Sequence, residues 1–157
     1  LTSVQSLGDG SSSDDFPSYG MSFSPSQTQG AEFIPYNKKF VLFADIPVSN
    51  QKYDSTGVLC GTPSATDECV EAISIITPDR IISICNDSTG SEVCSSTGLL
   101  DITFQRPSPD AIICYRAGGY GDACAPGAAS YAKVVLQSAA GISRNILIWN
   151  TGQIAIQ

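Results

Sequence analysis

The residues in this chain best suited to chemistry are its six cysteines, which fall into three closely spaced pairs. The pairs are Cys60 and Cys69, Cys85 and Cys94, and Cys114 and Cys124, with separations of 9, 9 and 10 residues. Zinc sites favour C-x-x-C pairs and histidines, and the sequence contains neither. Six cysteines allow many connectivities, but three local loops, each contributing about 2.5–3 kcal/mol, are the simplest set. We therefore expect three local disulfides and an oxidising, extracytoplasmic setting.

The tetrapeptide Asp-Ser-Thr-Gly occurs twice, at 54–57 and at 87–90. Paired aspartates of this kind form the aspartic-protease dyad, in which two carboxylates in buried apolar turns share one proton. Here Asp54 follows Lys52-Tyr53 and Asp87 lies in a hydrophilic cysteine loop, so ordinary turn chemistry is the favoured interpretation. The chain has no histidine, which excludes a Ser-His-Asp or Cys-His site within it. We assign no catalytic residue and expect no enzyme activity.

A second candidate site is a calcium loop built from the side-chain oxygens of Asp45, Asn50 and Asp54. The spacing does not match an EF-hand, and Ile46-Pro47-Val48 occupies positions where such loops carry further ligands. We therefore assign no metal and no cofactor. Asn86-Asp87-Ser88 also satisfies the N-glycosylation sequon, which is a weak match and has no meaning in a bacterial source.

The stretch "LLDITFQRPSPDAIICY", residues 99–115, predicts two strands joined by an unusual turn. Its first part alternates apolar and polar side chains, which predicts one apolar and one hydrated face: Leu100, Ile102 and Phe104 against Asp101, Thr103 and Gln105. Prolines 107 and 109 cannot continue a sheet. The segment from Arg106 to Asp110 is therefore a working site, a binding loop or a structural turn, and we favour the turn, with its two charges solvated or paired across it.

The elements around these residues are short apolar runs separated by Gly, Pro, Asn and Ser, and within residues 19–157 none has a helical period. The pattern predicts a mainly β fold, a sandwich of antiparallel sheets, with at most a short N-terminal helix stub at Leu1–Leu7. Residues 1–18 form the stub and a flexible entry segment, and residues 19–157 form one β-rich domain. Thr77-Pro78-Asp79 separates the runs at 69–77 and 80–85 and is interpreted as a hairpin-like break.

The end of the chain predicts a hairpin in which Asn145–Trp149 and Gln153–Gln157 pair across Asn150-Thr151-Gly152. The alternation places Ile146 and Ile148 in the interior, with Ile154 and Ile156 continuing that buried face. An alternative is that the uncharged tail is a free strand that adds to a neighbouring subunit.

Composition limits the partners of this 157-residue chain. Its formal net charge is −7, which disfavours nucleic acid and acidic membrane surfaces as partners. No apolar run approaches the ~18 residues of a membrane span, and Leu1–Leu7 lacks the basic start of a signal peptide. We therefore expect either a cytosolic protein or a processed piece of a longer one, and the cysteines favour the second.

Four segments together resemble the type IV pilins and pseudopilins of the GspH/FimT kind. The segments are "YGMSF" (19–23), "FVLFADIPVSNQKYD" (40–54), "DITFQRPSPDAII" (101–113) and "RNILIWNTGQIAIQ" (144–157). They are similar, in order, to that family's Y-G-x-x-F strand, its strand ending in F-A-D and then Y-D, its R-P-x-P-D-A turn between strands, and its closing hairpin. The resemblance covers residues 19–157.

What the resemblance implies is a non-enzymatic structural subunit: a β-rich head on an N-terminal apolar helix that is inserted in the inner membrane and later forms the filament core. The prepilin cleavage site, the helix and its early glutamate are absent from this sequence, which we interpret as a head trimmed of its helix. Other pilin or pseudopilin subunits and the membrane are then contacted through the missing helix, and the isolated head is monomeric. Major pilin, minor pilin and secretion pseudopilin stay open, as do adhesion, motility, secretion and DNA uptake.

Two other classes of function remain as alternatives. One is a secreted β-sandwich binding or adhesion module that uses the loops at 25–38 and 116–130, and the other is a small secreted hydrolase that uses carboxylates. Some FimT-like proteins take up DNA through basic residues near the C-terminus. Here Lys133 and Arg144 stand apart and "NTGQIAIQ" is uncharged, so we do not expect DNA binding by this subunit alone.

Overall fold

The fold consists of short β-strands, as the turn-rich sequence predicts. The computed structural model describes residues 17–26, 37–46, 50–54, 60, 68–105, 108–119, 122–124 and 129–157. In these residues the strands are β1 Ser18–Phe23, β2 Lys39–Asp45, β3 Cys69–Ser74, β4 Arg80–Asn86, β5 Val93–Ser95, β6 Leu99–Phe104, β7 Ala111–Arg116, β8 Tyr131–Gln137, β9 Ser143–Trp149 and β10 Ile154–Ile156. The predicted helix stub at Leu1–Leu7 lies outside the described residues, as does most of the entry segment 1–18.

The strands form two five-stranded antiparallel sheets. The first sheet has the order β3-β2-β1-β6-β7 and the second the order β10-β9-β8-β4-β5. Every pairing between neighbouring strands is antiparallel. The mainly β, sandwich-like fold class is therefore confirmed. No helix in the described part of the chain is long and apolar enough to cross a membrane.

A shared hydrophobic core joins the two sheets. The first sheet contributes Phe23, Leu100, Ile102 and Ala111, and the second contributes Ile81, Ile84, Ala132, Val134 and Ile148. All of these side chains are buried, and Phe23 also stacks on Phe40 with ring centroids 5.5 Å apart. Leu100 and Ile102 thus face the core, as their alternation in the sequence predicts.

The opposite face of the first sheet is also buried, which corrects the prediction of a hydrated face. Asp101 and Thr103 are fully buried, because residues 50–54 lie across that side of β6. The Thr103 hydroxyl donates to the Gln51 carbonyl, and the Tyr53 carbonyl accepts from an arginine on β7. A second cluster fills this side of the sheet: Val41, Phe43, Tyr53, Cys69 and Leu99.

Residues 75–79 carry the chain from one sheet to the other, so the predicted hairpin at Thr77-Pro78-Asp79 is wrong. β3 pairs with β2 in the first sheet, whereas β4 pairs with β5 and β8 in the second. The Lys38 ammonium donates to the carbonyls of Thr77 and Asp79 and holds this crossover against the start of β2. Local sequence marks where the strands break but does not select their partners.

The closing hairpin is confirmed, but the predicted burial of its last two isoleucines is wrong. β9 and β10 pair with Ile154 opposite Ile148 and Ile156 opposite Ile146. Ile148 is 2% exposed, whereas Ile154 and Ile156 are 60% and 72% exposed. β10 is the outermost strand of the second sheet, so it has a hydrogen-bonded neighbour on one side only. Residue alternation determines which side of the sheet a side chain points to, but not whether other residues pack against that side.

Candidate functional site

Three disulfides join the cysteines in the local pairing that their spacing predicts. Their Cα–Cα distances are 4.9 Å for Cys60–Cys69, 4.0 Å for Cys85–Cys94 and 5.0 Å for Cys114–Cys124. The second links directly paired residues of β4 and β5, and the third ties the middle of β7 to the loop that follows it. Three such bridges indicate an oxidising, extracytoplasmic environment.

The thiols are not available as metal ligands while these bridges are formed. Within the described ranges, the one group of three candidate ligand atoms lying within 4.8 Å of one another belongs to Cys85, Glu92 and Cys94. Both sulfurs of this group are bonded to each other. The group therefore marks the geometry of the disulfide and not a cation site.

A glycine in β1 makes room for a pair of contacting aromatic rings on the side of the first sheet away from the shared core. Gly20 pairs with Phe43 of β2, and a Cβ added to Gly20 would lie 2.5 Å from the Phe43 ring. That ring in turn contacts the Tyr53 ring, with centroids 5.5 Å apart. Gly20 therefore explains how the "YGMSF" and "FVLFAD" segments fit together: only a residue without a side chain leaves this space.

Asp45, at the end of β2, holds the segment that carries Tyr53. Its two carboxylate oxygens accept the backbone N–H groups of Asn50 at 3.0 Å and Gln51 at 2.9 Å. The Asn50 side-chain amide donates to the Asp54 carboxylate, and Lys52 forms an ion pair with Asp54 at 3.3 Å. The structure thus brings together all three residues of the calcium-loop hypothesis. Asp45 and Asn50 accept N–H groups with the oxygens that a cation would need.

Glu68 joins this group from the end of the 60–69 disulfide loop, although no sequence pattern singled it out. It is 3% exposed, and its carboxylate accepts the Asp54 N–H at 2.7 Å while its carbonyl accepts the Ala44 N–H. Burial raises the pKa of Glu68 to about 8, and the nearby Asp45 and Asp54 charges add to that rise. Glu68 therefore keeps its proton to a higher pH than an exposed glutamate does.

Beneath the Tyr53 segment lies a fully buried ion pair between Asp101 of β6 and Arg116 of β7. The same guanidinium nitrogen donates to the Asp101 carboxylate and to the Tyr53 carbonyl at 2.8 Å. Burial raises the pKa of Asp101 to about 6, and the Arg116 charge limits the rise. Leaving one charge of such a pair alone is strongly unfavourable, so the pair fixes β6, β7 and the Tyr53 segment together.

The two Asp-Ser-Thr-Gly aspartates have different partners on different sheets. Asp54 belongs to the Asp45 and Glu68 group beside the first sheet. The Asp87 carboxylate follows β4 in the second sheet and accepts the N–H groups of Ser130 and Tyr131, at 2.7 and 3.2 Å. The Asp87 carbonyl also accepts the Gly90 N–H at 2.9 Å, which closes a turn over 87–90 and agrees with the turn interpretation, whereas the carboxylate makes a long-range contact.

The described part of the turn after β6, residues 108–110, contacts the closing hairpin. Arg106 and Pro107 lie outside the described residues. The next part is held by the hairpin, because the Ala111 N–H donates to the Asn150 carbonyl at 2.7 Å. Gly152 has a φ of +80°, and a Cβ there would lie 2.7 Å from the Pro109 carbonyl oxygen. The two turns thus pack backbone against backbone and join the sheets at one end.

Lys133 on β8 and Arg144 on β9 lie in different surroundings. Lys133 forms an ion pair with Glu92, which also accepts from the Tyr131 hydroxyl. These hydrogen bonds, that from Lys133 first, lower the pKa of Glu92 below its ordinary value. Arg144 is exposed on β9.

Two open clefts lie near the loop that follows β7. The larger, about 550 Å³, is lined by Gln51, Asp110–Cys114, Cys124, Ala129, Asn150 and Thr151. The smaller, about 280 Å³, lies between the β4–β5 hairpin and residues 115, 117, 122 and 123. Both adjoin the 116–130 loop that the sequence marks as a candidate binding surface, whereas most of the 25–38 loop lies outside the described residues.

Comparison with protein families, with curated proteins and with solved structures finds no match for this chain. The pilin resemblance is therefore carried by the four quoted segments alone.

Proposed function

We propose that this chain is the head of a non-enzymatic structural subunit, a minor pilin or pseudopilin, in a type IV pilus-like or type II secretion filament. The proposal rests on the resemblance of four segments and on the way those segments contact one another. Its site of action is extracytoplasmic, at the cell surface or in the periplasm. The three disulfides are consistent with either location.

The observation that carries the proposal is that three of the four segments interlock in the first sheet. "YGMSF" lies in β1, and Gly20 in this segment leaves space for the Phe43 ring of the "FVLFAD" strand, β2. The continuation of that segment places Tyr53 on Phe43 and over the ion pair of Asp101, which belongs to "DITF" in β6. The residues that resemble the family's motifs thus pack against one another in a single cluster. Such mutual packing is expected if the motifs are retained because the fold depends on them.

The test is the coding sequence upstream of Leu1, followed by a filament assay. We expect a short basic leader and an apolar helix of ~20 residues directly before the head. Antibody raised against the 157-residue chain should then label sheared surface filaments, and deletion of the upstream helix should remove the label. A cleaved secretory signal peptide joined directly to the head would overturn the proposal.

A secreted binding module is the second candidate, favoured by the two clefts beside the 116–130 loop. Such a module needs no helix. It would be recovered as free protein in the culture medium and not in the filament fraction.

A further inference from the structure

The larger cleft, which we call the β7 cleft, lies along the open side of the outermost strand of the first sheet. β7 is the last strand in the order β3-β2-β1-β6-β7, so among the described strands it has a hydrogen-bonded neighbour on one side only. The cleft has a volume of about 550 Å³. Five consecutive residues, 110–114, line it from β7 and the position just before it.

The backbone of β7 directs hydrogen-bonding groups into this cleft. The Ala111 N–H donates to the Asn150 carbonyl at 2.7 Å and therefore points away from β6. Backbone groups alternate in direction along an antiparallel strand, so Ile112 and Cys114 bond to β6, whereas Ile113 points its N–H and C=O to the open side. The Ile113 side chain packs against the shared core, so the backbone is the part of this residue that lines the cleft. Such an edge is a template for a further strand.

The walls of the cleft are held in place before anything binds. The Cys114–Cys124 disulfide ties the loop after β7 to the middle of the strand. On the other side, the turn between β9 and β10 is held by the close approach of Gly152 to the Pro109 carbonyl oxygen. A groove with restrained walls loses less entropy when a ligand binds, and this favours binding.

The other lining groups favour a ligand that is polar, with a cation at one end. Gln51, Asn150 and Thr151 supply two side-chain amides and a hydroxyl, all of which can both donate and accept. The one charged group in the described lining is the Asp110 carboxylate, which is exposed directly before β7. A cation is attracted to that end of the cleft, and an anion is repelled.

We propose that the β7 cleft binds an extended segment of a partner protein, which adds to β7 as a sixth strand. The segment is uncharged except for a lysine or arginine at Asp110. Strand addition pairs main chain with main chain, which is what the open side of Ile113 offers. At a rise of ~3.3 Å per residue, residues 110–114 accommodate about five residues of the segment. The inference concerns a binding site on the head and does not depend on filament assembly.

The site is tested with the 157-residue chain and three acetylated, amidated pentapeptides at millimolar concentration. Their sequence is Thr-X-Thr-X-Lys, in which X is Ala, Val or Leu. The readout is hydrogen–deuterium exchange of single backbone amides, measured by NMR. We expect at least one peptide to slow exchange of the Ile113 N–H about tenfold at about nine-tenths saturation, because only the free protein exchanges. The Ile112 N–H already bonds to β6, so its exchange rate should not change.

A proline peptide and a charge variant test how the segment is held. In an antiparallel pairing with the lysine at Asp110, the first X residue lies opposite Ile113. Proline at that position removes the N–H that bonds to the Ile113 carbonyl and should abolish the protection. Asp110→Asn should weaken binding about two- to fivefold, the range for an exposed ion pair.

Two arginine variants test the location. Thr151→Arg places a large side chain at the cleft, and Ala140→Arg places the same side chain on the turn between β8 and β9. Both sites are exposed, so both variants should keep the folded spectrum. We expect the first to abolish peptide binding and the second to leave it unchanged. The inference is overturned if none of the three peptides protects Ile113, if the proline peptide protects it equally, or if Thr151→Arg still binds.

Discussion

Arg116 shows how much of this fold depends on one residue. Its guanidinium is fully buried between two strands and a loop, where it pairs with Asp101 and donates to the Tyr53 carbonyl. Glu68 is also buried and contacts the next residue along that loop, because its carboxylate accepts the Asp54 N–H. Each is a buried ionisable side chain that no sequence pattern singled out.

Replacing Arg116 should therefore be far more harmful than replacing an exposed arginine. We expect Arg116→Leu to lower the free energy of unfolding by about 3–5 kcal/mol, because Asp101 is left buried and unpaired. The matched control is Arg80→Leu on β4, where an exposed hydrogen bond to Gln137 is lost at a cost of less than ~1 kcal/mol.

Urea unfolding at pH 7 measures both variants. The double variant Asp101→Leu with Arg116→Leu should recover much of the loss, since it leaves no lone charge. If the double variant is as unstable as Arg116→Leu, the bond to the Tyr53 carbonyl and not the ion pair determines the effect.

The stability of the chain should fall as the pH rises through the titration of Glu68. Its pKa rises from 4.5 to about 8 on folding, so the folded state binds more protons between those values. The stabilisation from the neutral carboxyl is full below pH 4.5 and is lost as the pH approaches and passes 8. Glu68→Gln keeps an oxygen for the Asp54 N–H and does not titrate.

We expect the urea midpoint of the native chain to drop between pH 5 and pH 9 by more than that of Glu68→Gln. Glu71→Gln, at an exposed glutamate on β3, controls for the loss of one negative charge. Equal pH dependence in the native chain and Glu68→Gln would show that this carboxyl is not the titrating group.

At the scale of elements, the turns determine how the two sheets are joined. The turn after β6 and the turn between β9 and β10 meet at Gly152, opposite Pro109. Gly141, between β8 and β9, has almost the same φ, +81°, but a Cβ there meets nothing within 4 Å. The two glycines therefore separate the effect of backbone conformation from that of close contact.

Gly141→Ala should cost about 1–2 kcal/mol for a left-handed alanine. Gly152→Ala should cost more, because its Cβ also displaces the Pro109 carbonyl and strains the Ala111–Asn150 hydrogen bond. Thermal unfolding of the two variants gives the comparison. If both variants lose the same stability, the contact between the β9–β10 turn and Pro109 contributes nothing measurable to the free energy of unfolding.

The outermost strand contributes less than its apolar sequence suggests. We expect Ile148→Ala, at a buried position on β9, to destabilise by about 2–5 kcal/mol. Ile156→Ala, on the exposed β10, should change stability by no more than about 0.5 kcal/mol. We expect the protein to stay folded when Gln153–Gln157 is removed, because Ile154 and Ile156 are exposed. A large loss in Ile156→Ala would restore the buried-hairpin prediction.

At the scale of the whole molecule, the proposed function predicts that the isolated head is a monomer. Cohesion between pilin subunits comes largely from helix packing, and the net charge of −7 opposes self-association. Sedimentation at micromolar concentration should give a single species of 16.4 kDa. A tight dimer would contradict this, and the exposed edge at Ile154 and Ile156 is the first place to look for its interface.

The sequence by itself determined the strand-rich fold class, the three local disulfides and the positions of the main turns. These are short-range properties: residue alternation, proline and glycine chemistry, and cysteines close enough in the chain to pair. The turn glycine Gly152 is one of these short-range features, because the tight turn between β9 and β10 needs a positive φ at that position.

Only the tertiary structure decided which faces are covered. Asp101 and Thr103 have the pattern of a hydrated face and are buried because a distant loop crosses them. Ile154 and Ile156 have the pattern of a core face and are exposed because their strand lies at the edge of the sheet. The group of Asp45, Asp54 and Glu68 and the β7 cleft likewise depend on segments far apart in the chain. Whether a strand residue is buried depends on which other segments pack against that face of the sheet. The alternation of apolar and polar residues within the strand does not specify those segments.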